Sequence, residues 1–245
     1  MLEKIKCLLR PLINTPLHPQ WLVRGGVSDL AGILKSIDSA AVVLDIGCFD
    51  KWAKVRLPST CSYYGLDYLA TAEQWYSTVP DIYGDALQLP IRSNSFDVVL
   101  LLDVLEHLAD ADLAIAEINR VLSEQGMLVM QVPFLYPLHD EPRDFARFTR
   151  HGFERMANRH GFTIEKCISQ GHPVETATLL LNMAMSKAIL NWFRRRHPAA
   201  LLVLILPFMV LLGNLAARVI AMLSGPETFM PYSYQLMLKK SVIAD

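Results

Sequence analysis

The chain predicts an α/β fold. The expected architecture is a doubly wound, Rossmann-like sheet of seven strands with a helical-hairpin insertion. Three observations predict it. Short apolar, branched runs alternate with helical patterns from residue 41 onward, as βαβ crossovers require. The run FDVVLLLD, residues 96–103, is continuously apolar, as a strand buried on both faces must be. Between the last two strand-like runs lie some fifty residues, 172–225, with helical patterning. The expected organisation is an N-terminal helical cap segment at 1–40, a core built from 41–171 and 226–245, and a hydrophobic helical hairpin at 172–225.

The elements follow in order. AAVVLDIG, residues 40–47, has the length and branching of a buried strand. CSYYGLD (61–67) is the second strand, DIYGDA (81–86) a short third and FDVVLLLD the fourth. ADLAIAEINRVL (111–122) reads as a helix with Ile118, Val121 and Leu122 on one face, and Gly126 is placed to supply a left-handed cap past its end. GMLVMQVPF (126–134) is the fifth strand. Thr149 to His160 reads as a helix closed by Gly161, FTIEKCIS (162–169) as the sixth strand and YSYQLMLKK (232–240) as the seventh.

The whole-chain balance excludes some classes. With 23 basic and 24 acidic residues among 245, the net charge is -1, which gives no electrostatic footprint for nucleic acid. The four cysteines, Cys7, Cys48, Cys61 and Cys167, form no C-x-x-C pair, so neither zinc nor a disulfide framework is expected and a reducing compartment fits best. The amphipathic N-terminus is broken by Pro11 and Pro16 and lacks the apolar stretch of a secretory signal.

The turn after the first strand sets the cofactor question. A dinucleotide fold wants G-x-G-x-x-G so that backbone can approach a pyrophosphate. Counting from Gly47, the other two positions are Phe49 and Trp52, whose side chains would block the phosphates, so a nicotinamide or flavin dinucleotide is disfavoured. A cofactor without phosphates needs a single tight turn, which Gly47 supplies, and a carboxylate for ribose hydroxyls. Asp67 lies 22 residues beyond Asp45, at the usual place for that acid. A plain strand-turn-helix with no ligand satisfies the same turn.

Further residues narrow this. LDIGC (44–48), YYGLD (63–67), GDALQLP (84–90) and SFDVVLLLDVLEHL (95–108) occur in continuous order. Together with the run to Phe134 they resemble the class I S-adenosylmethionine-dependent methyltransferases of the type 11 group, over roughly residues 40–170. The resemblance implies a sheet whose last strand is antiparallel, and S-adenosyl-L-methionine as cofactor. It implies that Asp45 and Gly47 contact its methionine end, that Asp67 binds the ribose, and that Asp85 meets the adenine amino group with Ala86 beside it. Cys48 and Asp103 complete the expected cofactor-binding set. The sequence departs from many members at Phe49 and Lys51, where they have glycine; GCFDKW is similar to a narrower subgroup's continuation.

Methyl transfer is an in-line displacement in which positioning supplies most of the catalysis, and an oxygen nucleophile also profits from a base. The fold puts such groups after the fourth and fifth strands. The candidate catalytic residues there are His139, His107 and Asp144. Asp103, Glu106 and His107 follow the fourth strand; for Asp103 a helix-capping role competes with a role in the cleft, and for His107 a purely structural one. His139 and Asp144 lie in YPLHDEPRDFARFTRHGF (136–153), which resembles the H-x-x-P-x-D-F/Y-x-R-F/Y-T loop of the same subgroup at His139, Pro142, Asp144, Arg147, Phe148 and Thr149. His139 reads as a general base or substrate-orienting group. Asp144 with Arg147 suits an ion pair that shapes the loop, and Thr149 a helix cap. A metal held by His139, Glu141 and Asp144 lacks a second histidine at ligand spacing, so no metal is expected. His18, in the N-terminal segment, is assigned to neither a cleft nor a plain surface loop.

The insertion contains an uncharged run of 19 residues, 199–217, long enough to span a bilayer. The seventh strand must return to the sheet, and the hairpin tip is RRRH (194–197), which is costly to carry across. The better expectation is a hairpin lying in the inner leaflet, in contact through residues 174–223, with its arginines among anionic head groups. A soluble lid or a homodimer interface would bury the same face. The expected function is methyl transfer, with an oxygen of a small or lipid-linked acceptor as the first choice, by a cytoplasmic protein peripheral or monotopic on the inner membrane face. The alternative is a non-catalytic cofactor-binding or membrane-associated scaffold.

Overall fold

The computed structural model of the chain describes residue 12 and residues 14–241; Cys7, most of the amphipathic N-terminal stretch and the tail beyond residue 241 lie outside the described residues. The described residues divide into two compact units. One holds those up to Ser28 with Leu135–Pro137 and Gln170–Tyr232; the other holds Asp29–Phe134, Leu138–Ser169 and those from Ser233 on.

The second unit contains the sheet. Its strands are β1 (Val42–Ile46), β2 (Ser62–Asp67), β3 (Ile82–Tyr83), β4 (Phe96–Leu102), β5 (Leu122–Pro133), β6 (Phe162–Gln170) and β7 (Ser233–Lys240), in the spatial order β3-β2-β1-β4-β5-β7-β6. β1 pairs in parallel with β2 and β4, and β4 with β5, while β7 runs antiparallel to β5. The expected seven-stranded, doubly wound sheet with its last strand antiparallel is therefore present.

The continuous run of β4 has the consequence its composition required. Val99 and Leu101 enter a core with Ile115 and Ile118 of α2 (Ala111–Val121) and Phe153 and Met156 of α3 (Arg150–Arg159). Val98, Leu100 and Leu102 enter a second core with Leu30, Ile33 and Leu34 of α1 (Arg24–Lys35). Burial on both faces leaves the carboxyl ends of the parallel strands as the free edge for chemistry.

The caps fall partly as expected. Thr149 accepts from the Gly152 N–H at 3.1 Å and opens α3, and Gly161, at φ 69, lies just past its end. Gly126 does not cap α2. The helix passes directly into β5 at Leu122, the left-handed residue is Gln125 at φ 61, and Gly126 is needed because a Cβ there would stand 2.9 Å from the Ser123 carbonyl oxygen.

In the first unit, α4 (Pro173–Arg194) starts with a capping box of His172 and Glu175. α5 (Leu206–Ser224) packs on it. Asn182 donates to Asn214 at 2.9 Å, both buried, and Asn214 donates in turn to the Pro16 carbonyl at 2.7 Å. Arg218 pairs with Glu175 at 2.9 Å and lies over the Trp21 ring. The uncharged run 199–217 is not one helix: Pro198–Leu204 forms a 3-10 turn and α5 begins only at Leu206, next to Pro207. A proline lacks the N–H a continuous helix would need there. Among the described residues, α5 is long and apolar enough to cross a membrane by length and composition.

Candidate active site

The first strand ends at Ile46, and Gly47 turns the chain at φ 73. The N–H groups of Gly47 and Cys48 both donate to the Leu66 carbonyl, at 2.8 and 3.2 Å. A Cβ on Gly47 would collide with the Val104 side chain, so glycine is required by sterics as well as by its backbone angle. Phe49 and Lys51, where the family resemblance leads one to expect glycine, also take left-handed conformations, at φ 46 and 59. The loop keeps the conformation that glycine favours without the glycines.

Asp67, at the end of β2, holds that loop. Its Oδ2 accepts the Phe49 N–H at 3.2 Å and its Oδ1 the Tyr68 N–H at 2.8 Å. Burial raises its pKa above the usual carboxylate value, against the pull of those two bonds. Asp45 is buried, and its carboxyl accepts the Tyr63 hydroxyl at 2.6 Å. Burial raises Asp45 to about 7; the Tyr63 bond opposes this and the nearby charge of Asp67 adds to it. Cys48 is buried, with its sulfur against the Cα side of Gly65, and burial pushes its thiol up to about 12, so it is packing rather than a reactive group. Lys51 bonds Asp81 at 2.7 Å, and Asp81 also accepts the Gly65 N–H at 2.8 Å. Asp85 is exposed and accepts the Leu87 N–H at 2.9 Å, with Ala86 buried beside it.

A second group forms after β4. Asp103 has φ 55, a strained angle for a side-chain-bearing residue. Its carboxyl accepts from the Gln131 side chain at 2.7 Å. It does not cap the next helix; Asp110 does, accepting the Leu113 N–H at 2.9 Å. Asp103 is exposed as a residue, yet protein packs closely about its carboxyl. That desolvation, then Glu106, raises its pKa, while Gln131 and His139 oppose.

Glu106 and His107 sit on the 3-10 turn Leu105–His107. Loop 138–149 is fastened to that turn, because the Phe145 and Ala146 N–H groups both donate to the Glu106 carbonyl, at 2.8 and 3.3 Å. His139 Nδ1 lies 3.3 Å from Asp144 Oδ2, which also accepts the His139 backbone N–H at 3.0 Å. Asp144 grips Arg147 with both oxygens, and that bond first, opposed by burial, holds its carboxyl down to about 2. The expected ion pair is present, and it orients His139. His107 Nδ1 meets the Arg143 carbonyl at 2.8 Å, and the rings of His107 and His139 stand edge to face at 4.8 Å.

Three predicted residues, His107, His139 and Asp144, thus converge, and Asp103 joins them electrostatically. Glu106 belongs to the same group. It is fully buried, and neither carboxyl oxygen makes a hydrogen bond. The sequence placed it in the cluster after the fourth strand but gave it no role, because burial of a charge leaves no mark in composition. The site also has an aromatic wall. The Arg143 guanidinium lies over Tyr68 and Trp75, and the Tyr76 ring meets Phe49 at 4.5 Å.

Residues 44–130 match the family described as "Methyltransferase domain", of the type 11 group. The match ends before His139 and Asp144. The chain is 28 % identical over 128 residues to demethylmenaquinone methyltransferase of Staphylococcus aureus (strain MRSA252), across 49 % of this chain and 52 % of that protein, so it spans about half the length of this curated relative. Among solved structures it resembles the [4+2]-cyclase SpnF at 18 % identity, TM-score 0.53, covering 89 % of this chain and 80 % of that one. It also resembles a SAM-dependent methyltransferase from Methanosarcina mazei at 13 % identity, TM-score 0.51, covering 86 % and 97 %. At such identities the likeness shows the fold alone. Strand order, glycine turn and family match together show that this chain carries a class I methyltransferase domain of the type 11 group, whose cofactor is S-adenosyl-L-methionine.

Proposed function

We propose that the chain transfers a methyl group from S-adenosyl-L-methionine to an oxygen of a small or lipid-linked acceptor at a membrane surface. The observation that carries the chemistry is the Gly47–Asp67 cradle at the carboxyl ends of β1 and β2. Its residues suit the cofactor. Each Asp67 oxygen accepts one backbone N–H and keeps lone pairs for ribose hydroxyls. Gly47 gives the tight turn that brings backbone to the cofactor, and exposed Asp85 is placed to accept from the adenine amino group. When bound, the cofactor supplies a methyl already activated on a sulfonium sulfur.

The chain's own residues then position the acceptor and take its proton. Asp144, ionised at neutral pH, faces His139 Nδ1 and fixes the tautomer with the proton there. His139 Nε2 is then the basic nitrogen, turned towards Glu106 and His107. A base here favours a hydroxyl acceptor.

Membrane contact is supported by the first unit. Only Val210, Asn214 and Ala217 of α5 are buried, at one-turn spacing against α4, while Phe208, Leu212 and Leu223 are 64, 68 and 83 % exposed. Arg194, Arg195 and Arg196, all exposed, follow in the tip. This is the composition of an interfacial helix facing anionic lipid on the cytoplasmic side.

The deciding experiment is calorimetric titration with S-adenosylhomocysteine, followed by transfer of labelled methyl to membrane extract, with demethylmenaquinone the first pure acceptor to try. Micromolar binding lost in Asp67→Ala, with label in the lipid fraction, supports the reading. Binding without transfer to any fraction makes the chain a cofactor-binding scaffold.

A further inference from the structure

We propose that Glu106, His107 and His139 form a binding site for a divalent first-row transition-metal ion. Their ligand atoms all lie within 4.8 Å of one another. Glu106 Oε1 is 3.7 Å from His107 Nε2 and 3.7 Å from His139 Nε2. With metal–ligand bonds of about 2.1 Å, donors so spaced subtend roughly 120° at an ion, and a small inward turn of the two rings completes the set.

The protonation pattern points the same way. His107 Nδ1 lies 2.8 Å from a carbonyl oxygen, which can only accept, so Nδ1 carries the proton. His139 Nδ1 lies 3.3 Å from Asp144 Oδ2, also an acceptor, so it is the nitrogen that donates. In the neutral rings both Nε2 atoms then present lone pairs towards one carboxyl oxygen. Three donor atoms gathered this closely offer a cation a ready set of ligands. Carboxylate or carbonyl partners at the far nitrogens are the usual supports of metal-bound histidines.

Glu106 supplies an independent observation. It is 0 % exposed, and both its oxygens lack a hydrogen bond. A buried carboxyl without partners is costly unless paired or coordinated. The neighbouring Arg147 guanidinium gives its hydrogen bonds to Asp144 and Ala146 instead. Two histidines and one carboxylate leave positions open at the ion, as in a site that binds a further oxygen ligand rather than a closed structural one.

The inference does not rest on methyl transfer. With the ion bound, His139 Nε2 is a ligand, and it serves as the base of the proposed transfer in the metal-free chain. The test is titration of the chelator-treated full chain with Co²⁺ and Zn²⁺, read by calorimetry and by the visible absorption of Co²⁺. One ion per chain is expected, with a visible band, at least tenfold weaker binding in His107→Ala and His139→Ala, and no change in the exposed His151→Ala. Glu106→Gln should lose the band as well. If that variant fails to fold, the two histidine variants, checked by circular dichroism, carry the test. No saturable binding, or binding that survives the two histidine substitutions combined, overturns the site and leaves His139 as the base. Loss of S-adenosylhomocysteine binding would bear on the cofactor reading alone.

Discussion

The Phe49 N–H donates to Asp67 Oδ2 at 3.2 Å, so the turn after β1 hangs from the residue assigned to the ribose. Asp67→Ala should do two things. It should remove S-adenosylhomocysteine binding, by tenfold or more, and it should destabilise the domain by about 1–2 kcal/mol, the cost of orphaning buried backbone donors. Asp67→Asn, which keeps one acceptor, should recover part of the stability but not the affinity. Calorimetry beside thermal melting separates the two effects.

Gly47→Ala should cost about 2–4 kcal/mol, from the left-handed angle and from the collision with Val104. The double variant Gly47→Ala/Val104→Ala removes the collision and leaves the backbone cost. A melting temperature restored part of the way supports this account. No restoration would place the strain elsewhere.

Asp45 gives stability a pH dependence. Its folded pKa of about 7 lies above the ordinary 3.8, so the folded state keeps a proton that the unfolded chain has lost between those values. The stability it contributes is complete below the unfolded value and falls as pH rises towards 7. At about 1.4 kcal/mol per pKa unit the span is roughly 4 kcal/mol. Thermal melts should show wild type losing stability between about pH 4 and 7, with no further loss from this group above that. Asp45→Asn, which can still accept from Tyr63, should flatten that slope; an unchanged slope in the variant would assign it to other groups.

The apolar face of α5 should decide membrane association. Vesicles with anionic lipid should co-sediment the protein, and neutral vesicles should do so less. Replacing Phe208, Leu212 and Leu223 with serine should cut binding at least tenfold while the buried Asn182–Asn214 bond keeps the fold. Concentration-dependent dimerisation lost in the same variant, without vesicle binding, would assign the face to a second copy of the chain.

Asn214 is buried and joins α4, α5 and the Pro16 carbonyl. Asn214→Ala should destabilise by about 1–3 kcal/mol by leaving the Asn182 amide without its acceptor. Asn182→Ala/Asn214→Ala should cost less than the sum of the single changes, as shared partners require. Additive losses in denaturant melts would contradict the coupling.

What the sequence by itself determined is the framework. Period and composition specified seven strands, and the unbroken apolar run of β4 announced burial on both faces. The Gly47 turn was legible because a tight turn must follow the first strand, and the place of Asp67 at the end of β2 because strand spacing fixes it. The Asp144–Arg147 pair and the Thr149 cap were legible because their partners lie within a few residues. Tertiary structure decided the rest. Asp103 binds Gln131 across two strands instead of capping a helix, Asp45 turns to Tyr63, and Gln125 takes the left-handed angle expected of Gly126. Glu106 and His139 stand 33 positions apart in the chain, yet meet at 3.7 Å because backbone bonds from Phe145 and Ala146 fasten one loop to the turn of the other. Local pattern records what each segment prefers. Which side chains converge, and which charge is stripped of water, depends on contacts between distant segments that only the fold brings together.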